Sequence, residues 1–449
     1  MNQTDKTTNN ITVKKGAFSL PEKIQILPGV NLTYVSTGKF KTGCISLNVI
    51  TQLSGDTAAE NALLPKVLRR GTTRYPDMNA ISGALDRLYG ASITPIVRKI
   101  GECQCFGFYS EFADDDFVPG GEKVLEEVAQ LLGDILLSPV TKGGMLLGEY
   151  VQSEKKKLID EIHAQLNNKI TYCISRLTAL MCQGELYGID KLGSEKAVEA
   201  ITPLNLTKHY HSVLQNSRIE IIYCGAAKAQ RVQAALERAL SALPRGTVET
   251  FPVADVKLYP DENKVRVFTE ELDVTQGKLT MGFRLGECMN RPNYAAMLVF
   301  NAVYGGSVTS KLFMNVREKL SLCYYASSTL DRTKGVMLVY SGVEFSKFKE
   351  AYDEILAQLE SVRAGDISDW ELTSAKRGII NSIMTSLDTL QGIEALCFDR
   401  AVTNIPLSPE ELVGLVDAVK AEEVSAIAGT VTLDAVHYLT GKGVQADET

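Results

Sequence analysis

Four histidines and nine cysteines are the side chains from which this 449-residue chain could build a metal or nucleophilic centre. The close groupings that include histidine are Glu161-x-His163 and His209-x-His211. On a helix, residues i and i+2 point to different faces, so neither pair converges on one ion. His209 and His211, flanked by Lys208 and Tyr210, read as a surface helix, and His163 as a solvent-facing or capping residue. Cys103-Gln104-Cys105 puts two thiols on one face of a strand and reads as buried core sulfur. Gly305-Gly306 lacks the Lys-Ser/Thr that would make it a phosphate loop. Asp114-Asp115-Asp116 lacks the spaced ligands and closing glutamate of a calcium loop, and reads as a solvated turn able to cap a helix. What remains is Asn315–Tyr325, which sets Arg317 seven residues before Tyr324, with Tyr325 adjacent. Arginine offers a rigid five-donor fork suited to a carbonyl or carboxylate. The plainer alternative is a charged helix end, Arg317-Glu318-Lys319, followed by strand tyrosines.

The elements that must position these residues form a unit used twice, at a period of roughly 220 residues. Strand-like alternation at Ile45–Ile50 recurs at Lys278–Phe283. An amphipathic helix at Gly121–Leu132 recurs at Phe348–Val362, and a long helix at Glu149–Gln165 recurs at Asp369–Ser386. Each half closes with a polar helix and a strand: Asn205–Leu214 with Ile219–Cys224, and Ala421–Gly429 with Ala435–Leu439. Trp370, the single tryptophan, is expected to anchor the second long helix against a neighbour. The fold class is α+β: two homologous halves, each a mostly antiparallel sheet with helices on one face. The expected halves are residues 1–243 and 263–449, joined by a Pro- and Gly-containing linker over 244–262.

Composition bounds the function. With 45% hydrophobic residues and a net charge of −7, the chain can build a sizeable core and shows no basic stripe for nucleic acid. Lys155–Lys157 reads as a solvated helix face. Met1–Lys6 is polar with no apolar run behind it, which predicts no secretory signal. No apolar stretch approaches the roughly 20 residues of a membrane span; Tyr294–Tyr304 has the length of a core helix. Nine scattered cysteines without a signal suggest reduced thiols and a cytoplasmic location.

The duplicated layout, with Gly71-Thr72 before Arg74-Tyr75-Pro76, Lys157–Ile162, Tyr304–Phe313 and the Arg317…Tyr324 spacing, resembles the insulinase-type (pitrilysin-like, inverted-motif) zinc peptidases along most of the chain. The resemblance implies two α+β halves per unit and two units closing around a substrate chamber. Active members carry H-x-x-E-H on a helix, where two histidines at i and i+4 bind zinc and the glutamate activates water. Counting back from Gly71, those positions hold Ala62, Pro65 and Lys66. Alanine offers no ligand atom, proline no proton acceptor, and a lysine cation repels the metal. The third ligand position is kept at Glu161, 95 residues after Lys66, a longer gap than the family's usual one. One carboxylate cannot hold a catalytic zinc that needs three protein ligands.

The resemblance therefore implies no metal in this chain and zinc in a partner, a homologous subunit with the intact motif. Arg317 and Tyr324 would act in trans, the tyrosine hydrogen-bonding the scissile carbonyl, with Gly305, Gly306 and Tyr325 on the substrate side. The expected substrate is a peptide or unstructured polypeptide, neither nucleic acid nor membrane is expected as a partner, and the isolated chain is a candidate homodimer. The alternative function is a non-catalytic scaffold or peptide-binding protein of the same fold.

Overall fold

The computed structural model describes residues 21–261 and 264–442; the remaining parts of the expected halves and linker lie outside the described residues. The first half begins with β1 (Glu22–Leu27), β2 (Val30–Ser36) and β3 (Thr42–Gln52), then α1 (Ala58–Leu68) and α2 (Met78–Arg87). The hairpin of β4 (Ser92–Ile100) and β5 (Cys103–Ala113) leads to α3 (Val124–Leu137) and a two-residue ribbon, β6 (Thr141–Lys142) with β7 (Met145–Leu146). Then come α4 (Gly148–Ala164), α5 (Lys169–Met181), α6 (Glu195–Ala200), α7 (Pro203–Asn216), β8 (Arg218–Gly225) and α8 (Ala229–Ala239). The second half runs β9 (Arg266–Leu272), β10 (Gly277–Arg284), α9 (Tyr294–Tyr304), a π-helix (Leu312–Lys319), β11 (Cys323–Asp331) and β12 (Val336–Val343). It ends with α10 (Phe348–Arg363), α11 (Asp369–Ser386), α12 (Leu390–Thr403), α13 (Pro409–Ala418), α14 (Ala421–Thr430) and β13 (Thr432–Gly441).

The duplication is visible in the strand order. The first sheet is β1-β2-β8-β3-β5-β4 and the second β9-β13-β10-β12-β11, the same order once β1 is set aside. The parallel pairings fall at the same place in both, β2 with β8 and β9 with β13, and every other pairing is antiparallel. Helix ends follow local chemistry. Ser368 and Glu371 exchange hydrogen bonds at the start of α11, and Ser408 and Glu411 do so at α13, each satisfying backbone donors that the first turn leaves open. The helix α9 is apolar nearly all round and buried at all but Leu298 and Asn301, which are half-buried, as suits a core helix.

Each sheet packs its own helices on one face, over a core of Ile, Leu and Val from both layers. The opposite face is covered by one helix lent by the other half. From the first half, α5 lies on β10 and β13; from the second, α12 lies on β8, β3 and β2. Cys44, Cys103, Cys105, Cys224 and Cys397 meet under α12, and all nine cysteines are free and buried. Trp370 departs from expectation. It is 56% exposed, and α11 is anchored instead through buried Ala375 and half-buried Leu372, Ile379 and Ile380. Residues 244–261 carry neither helix nor strand and are tied down by backbone bonds such as Gly246 N–H to Gln215 O (2.9 Å).

Where the halves meet, their equivalent hairpin turns touch. The β11–β12 turn carries Lys334 fully buried into the first half, where its ammonium bonds Glu102 of the β4–β5 turn (2.6 Å) and Glu185 (2.8 Å). Glu185 also pairs with Arg284 (2.5 Å), which pairs with Asp434 (2.9 Å), which pairs with Arg266. Three cations and three carboxylates thus balance across the seam. Burial drives the Glu185 carboxyl up, but Arg284 and Lys334 together hold it below its ordinary value. Among the described residues, no helix is long and apolar enough to cross a membrane.

Candidate functional site

The helix α1 is short-side-chain and apolar, and it stays continuous across Pro65 even though proline has no N–H to give Asn61 O. Ala62 and Pro65 are buried, and Lys66 reaches out one turn after Ala62. The turn beyond is tight: Thr72 N–H donates to Tyr75 O (2.7 Å), and a Cβ on Gly71 would lie 2.3 Å from Pro76 O. Facing α1 is α4. Its Glu161 accepts a hydrogen bond from the Lys66 ammonium at 2.7 Å, so the long gap in sequence still sets these two residues opposite each other. One turn along, Arg70 pairs with Glu154 (3.1 Å), which also binds Lys157 (2.7 Å). The seam between α1 and α4 is therefore an ion-pair ladder in which the Lys66 ammonium faces the Glu161 carboxylate. A methyl group, a proline ring, an ammonium and one carboxylate do not fit zinc, and no group of three or more His, Cys, Asp or Glu among the described residues could hold an ion. The chain is catalytically incomplete.

His163 is exposed and pairs with Glu195 (2.8 Å). His211 is exposed as well, but His209 is not a surface residue: its side chain is 12% exposed and turned onto α1. Asn61 donates to Gln104 Oε1 (2.8 Å) and Thr51 Oγ1 (3.1 Å), so its Oδ1 accepts from His209 Nε2–H (2.6 Å). This leaves His209 Nδ1 facing Glu60 Oε2 at 3.5 Å. Sequence spacing missed this network because its members lie on α1, β3, β5 and α7; the one signal was a glutamine between two core cysteines. Burial pushes His209 down to about 4 and Glu60 up to about 7. The raised Glu60 value means stability that is full below its ordinary 4.5 and lost as pH rises through about 7. The lowered His209 value means stability present above 6.5 and lost as pH falls toward about 4. Glu60→Gln should thus melt close to the parent at pH 5 and above it at pH 8; a pH-independent difference between the two melting curves would refute the assignment.

In the second half, Arg317 lies on the π-helix, half-exposed, with its guanidinium 4.6 Å from the Phe313 ring centroid and Nε 3.5 Å from Glu318. Ser321 turns the chain at φ 49°, and β11 begins as an edge strand. Its first pairs, Cys323 with Val343 and Ala326 with Ser341, leave Tyr324 and Tyr325 together opposite Gly342. This is a β-bulge, the device that re-aims side chains at sheet edges. It sends Tyr324 outward, 66% exposed, and lays Tyr325 over Gly342, where a Cβ would sit 2.6 Å from its ring. Burial raises the Tyr325 hydroxyl above its ordinary value. Gly305 O accepts from Ser328 N–H (2.9 Å) and Ser327 Oγ (3.0 Å), and Cβ atoms on Gly305 and Gly306 would meet Ser328 and Asn301 at 2.7 and 2.5 Å. Gly305 lets the turn press against β11, and Gly306 lets it fold back onto the end of α9. Within the chain, no hydrogen bond or ion pair among the described residues joins Arg317 or Tyr324 to Lys66 or Glu161.

The structure is a duplicated α+β unit in which α1 carries Ala62, Pro65 and Lys66, while Arg317 lies on the π-helix and Tyr324 on the edge strand of the second sheet. Residues 200–379 match the family model described as the M16 peptidase inactive domain. The probable inactive metalloprotease YmfF of Bacillus subtilis (strain 168) is 32% identical over 415 residues, 92% of this chain and 96% of that protein. The chain belongs to the M16 family, the insulinase-type peptidases. The uncharacterized zinc protease YmxG of the same organism is 23% identical over 365 residues, 79% of this chain and 86% of that one. Among solved structures, a conserved protein from Enterococcus faecalis V583 superposes with a TM-score of 0.87 at 27% identity, over 95% of this chain and 100% of that one. The M16 inactive domain from Pseudomonas fluorescens shares the fold, with a TM-score of 0.76 at 18% identity over 95% of this chain and 100% of that one.

Proposed function

We propose that this chain is the metal-free subunit of a two-subunit zinc peptidase, closing a chamber around an unstructured peptide and presenting Arg317 and Tyr324 to the zinc site of a homologous partner. The observation that carries this reading is the bulge on β11: it spends a register shift to project an exposed tyrosine beside a half-exposed arginine. A phenol held ready for a developing oxyanion contributes about 2.7–4 kcal/mol. Gly305, Gly306 and Tyr325 form the wall behind that pair on the substrate side. A peptide can add to a free sheet edge by main-chain hydrogen bonds. Nine free, buried thiols favour a cytoplasmic location, and the isolated chain is read as pairing with itself when no partner is present.

The test mixes the chain with a zinc-bearing homologue and follows cleavage of a quenched fluorescent peptide. Activity should exceed that of either subunit alone, and Tyr324→Phe should lower kcat about 100-fold with the complex intact. Unchanged turnover in both Tyr324→Phe and Arg317→Ala would sink the role given to them. Arg317 stacking on Phe313 and pairing with Glu318 favours a second reading, a scaffold or peptide-binding protein. That reading requires peptide capture with no gain in hydrolysis.

A further inference from the structure

We propose that the cavity between the first hairpin and the end of α12 binds a small organic anion, with one carboxylate or phosphate head and a short apolar body. The cavity holds about 390 Å³ and is walled by both halves of the chain. That size suits a small ligand. Lys23 and Thr33 face each other across the β1–β2 register and so share one face of the sheet. Arg400 and Asn404 come from the end of α12, and Ile405 and Pro406 supply apolar wall. Among the described residues, no carboxylate lines the cavity.

Three acids on α12 and on the strand next to Thr33 are engaged elsewhere. On α12, Glu394 pairs with Arg98 (2.9 Å) and Asp399 with Arg332 (2.6 Å). On the strand beside Thr33, Glu220 is held by Arg218 (2.6 Å) and Asn31 (2.9 Å). Among the described residues Arg400 has no ion pair; its Nη2 reaches only Pro406 O at 3.4 Å, and its Nη1 is buried with no partner among them. The Thr33 hydroxyl is likewise buried and unpartnered. Buried polar groups left unpaired are costly and uncommon. Two cations, an orphan N–H and an orphan hydroxyl around one cavity lack a single component, an oxyanion. An anion entering there gives Arg400 the charge-assisted hydrogen bond that its own chain withholds. This site does not depend on the peptidase reading.

Isothermal titration of the full chain with hexanoate, hexyl phosphate and neutral hexanol tests it. One equivalent of an anion should bind, and the tighter of the two identifies the head group; hexanol should bind at least about tenfold more weakly. Arg400→Gln should weaken the preferred anion by about tenfold or more. Thr33→Val should weaken it several-fold while leaving the ligand-free melting temperature equal or higher, since an unpaired buried hydroxyl is removed at constant shape. A structural role alone would not separate those two readouts. Absence of saturable binding of either anion, equal binding of hexanol, or unchanged affinity in an Arg400→Gln protein that circular dichroism shows to be folded overturns the proposal.

Discussion

Lys334→Met should destabilise the protein by about 3–5 kcal/mol, the usual cost of removing one member of a buried ion pair. The side chain is fully buried, and its ammonium is shared among Glu102, Glu185 and the carbonyl of Asp255. Methionine fills most of the same volume, so the loss is electrostatic: two carboxylates would stay in a low-dielectric seam with one fewer cation. The measurement is urea unfolding at pH 7, followed by a probe in each half. Lys334 joins the halves through their matching turns, so the variant should also unfold less cooperatively, with the two probes separating. Adding Glu102→Gln should recover part of the loss, because it removes one of the stranded charges; the two changes then add to less than their sum. A single coincident transition within about 0.5 kcal/mol of the parent, the range of ordinary surface substitutions, would show that the network does not hold the halves together.

Much of this fold is legible in the residues because its determinants are local. The limits of α11 were expected at Asp369–Ser386 and are found there, since Ser368 and Glu371 form a capping box that marks the first turn unambiguously. The strands at Ile45–Ile50 and Lys278–Phe283 fall inside β3 and β10, where alternation reports burial directly. What could not be read is what depends on contacts between distant segments. The exchange of α5 and α12 between halves leaves no periodic trace, because each helix is amphipathic whichever sheet it covers. Lys334 and Glu102 lie in separate turns, and nothing near either names the other. Trp370 misled because a large aromatic side chain was assumed to go inward, whereas α11 meets its neighbours through small and aliphatic residues. His209 misled in the opposite sense: polar neighbours in sequence hid a ring turned onto α1. At the candidate site, the lack of ligand atoms at Ala62 and Pro65 can be read from residue type alone, while the bulge that turns Tyr324 outward depends on pairing with β12.

The facing of α1 and α4 also allows a metal site to be designed. Ala62→His, Pro65→Glu and Lys66→His together should convert a chain with no suitable ligand set into one that retains one equivalent of zinc, with an apparent Kd at or below about 1 µM. Histidines at i and i+4 would share the face from which Lys66 now reaches α4, and Glu161 already stands 2.7 Å from the Lys66 ammonium. Removing the ammonium frees that carboxylate, and replacing Pro65 returns a backbone N–H to Asn61 O inside α1. The opposing cost is room, since Ala62 is fully buried and the imidazole must turn toward α4. Dialysis against trace zinc followed by elemental analysis reads the outcome, with circular dichroism confirming the fold. Adding Glu161→Ala should abolish retention, which ties the ion to this seam rather than to the buried cysteines. If the folded triple variant keeps no more zinc than the parent, then α1 and α4 do not bring three ligands to one point, and Glu161 is a salt-bridge residue only.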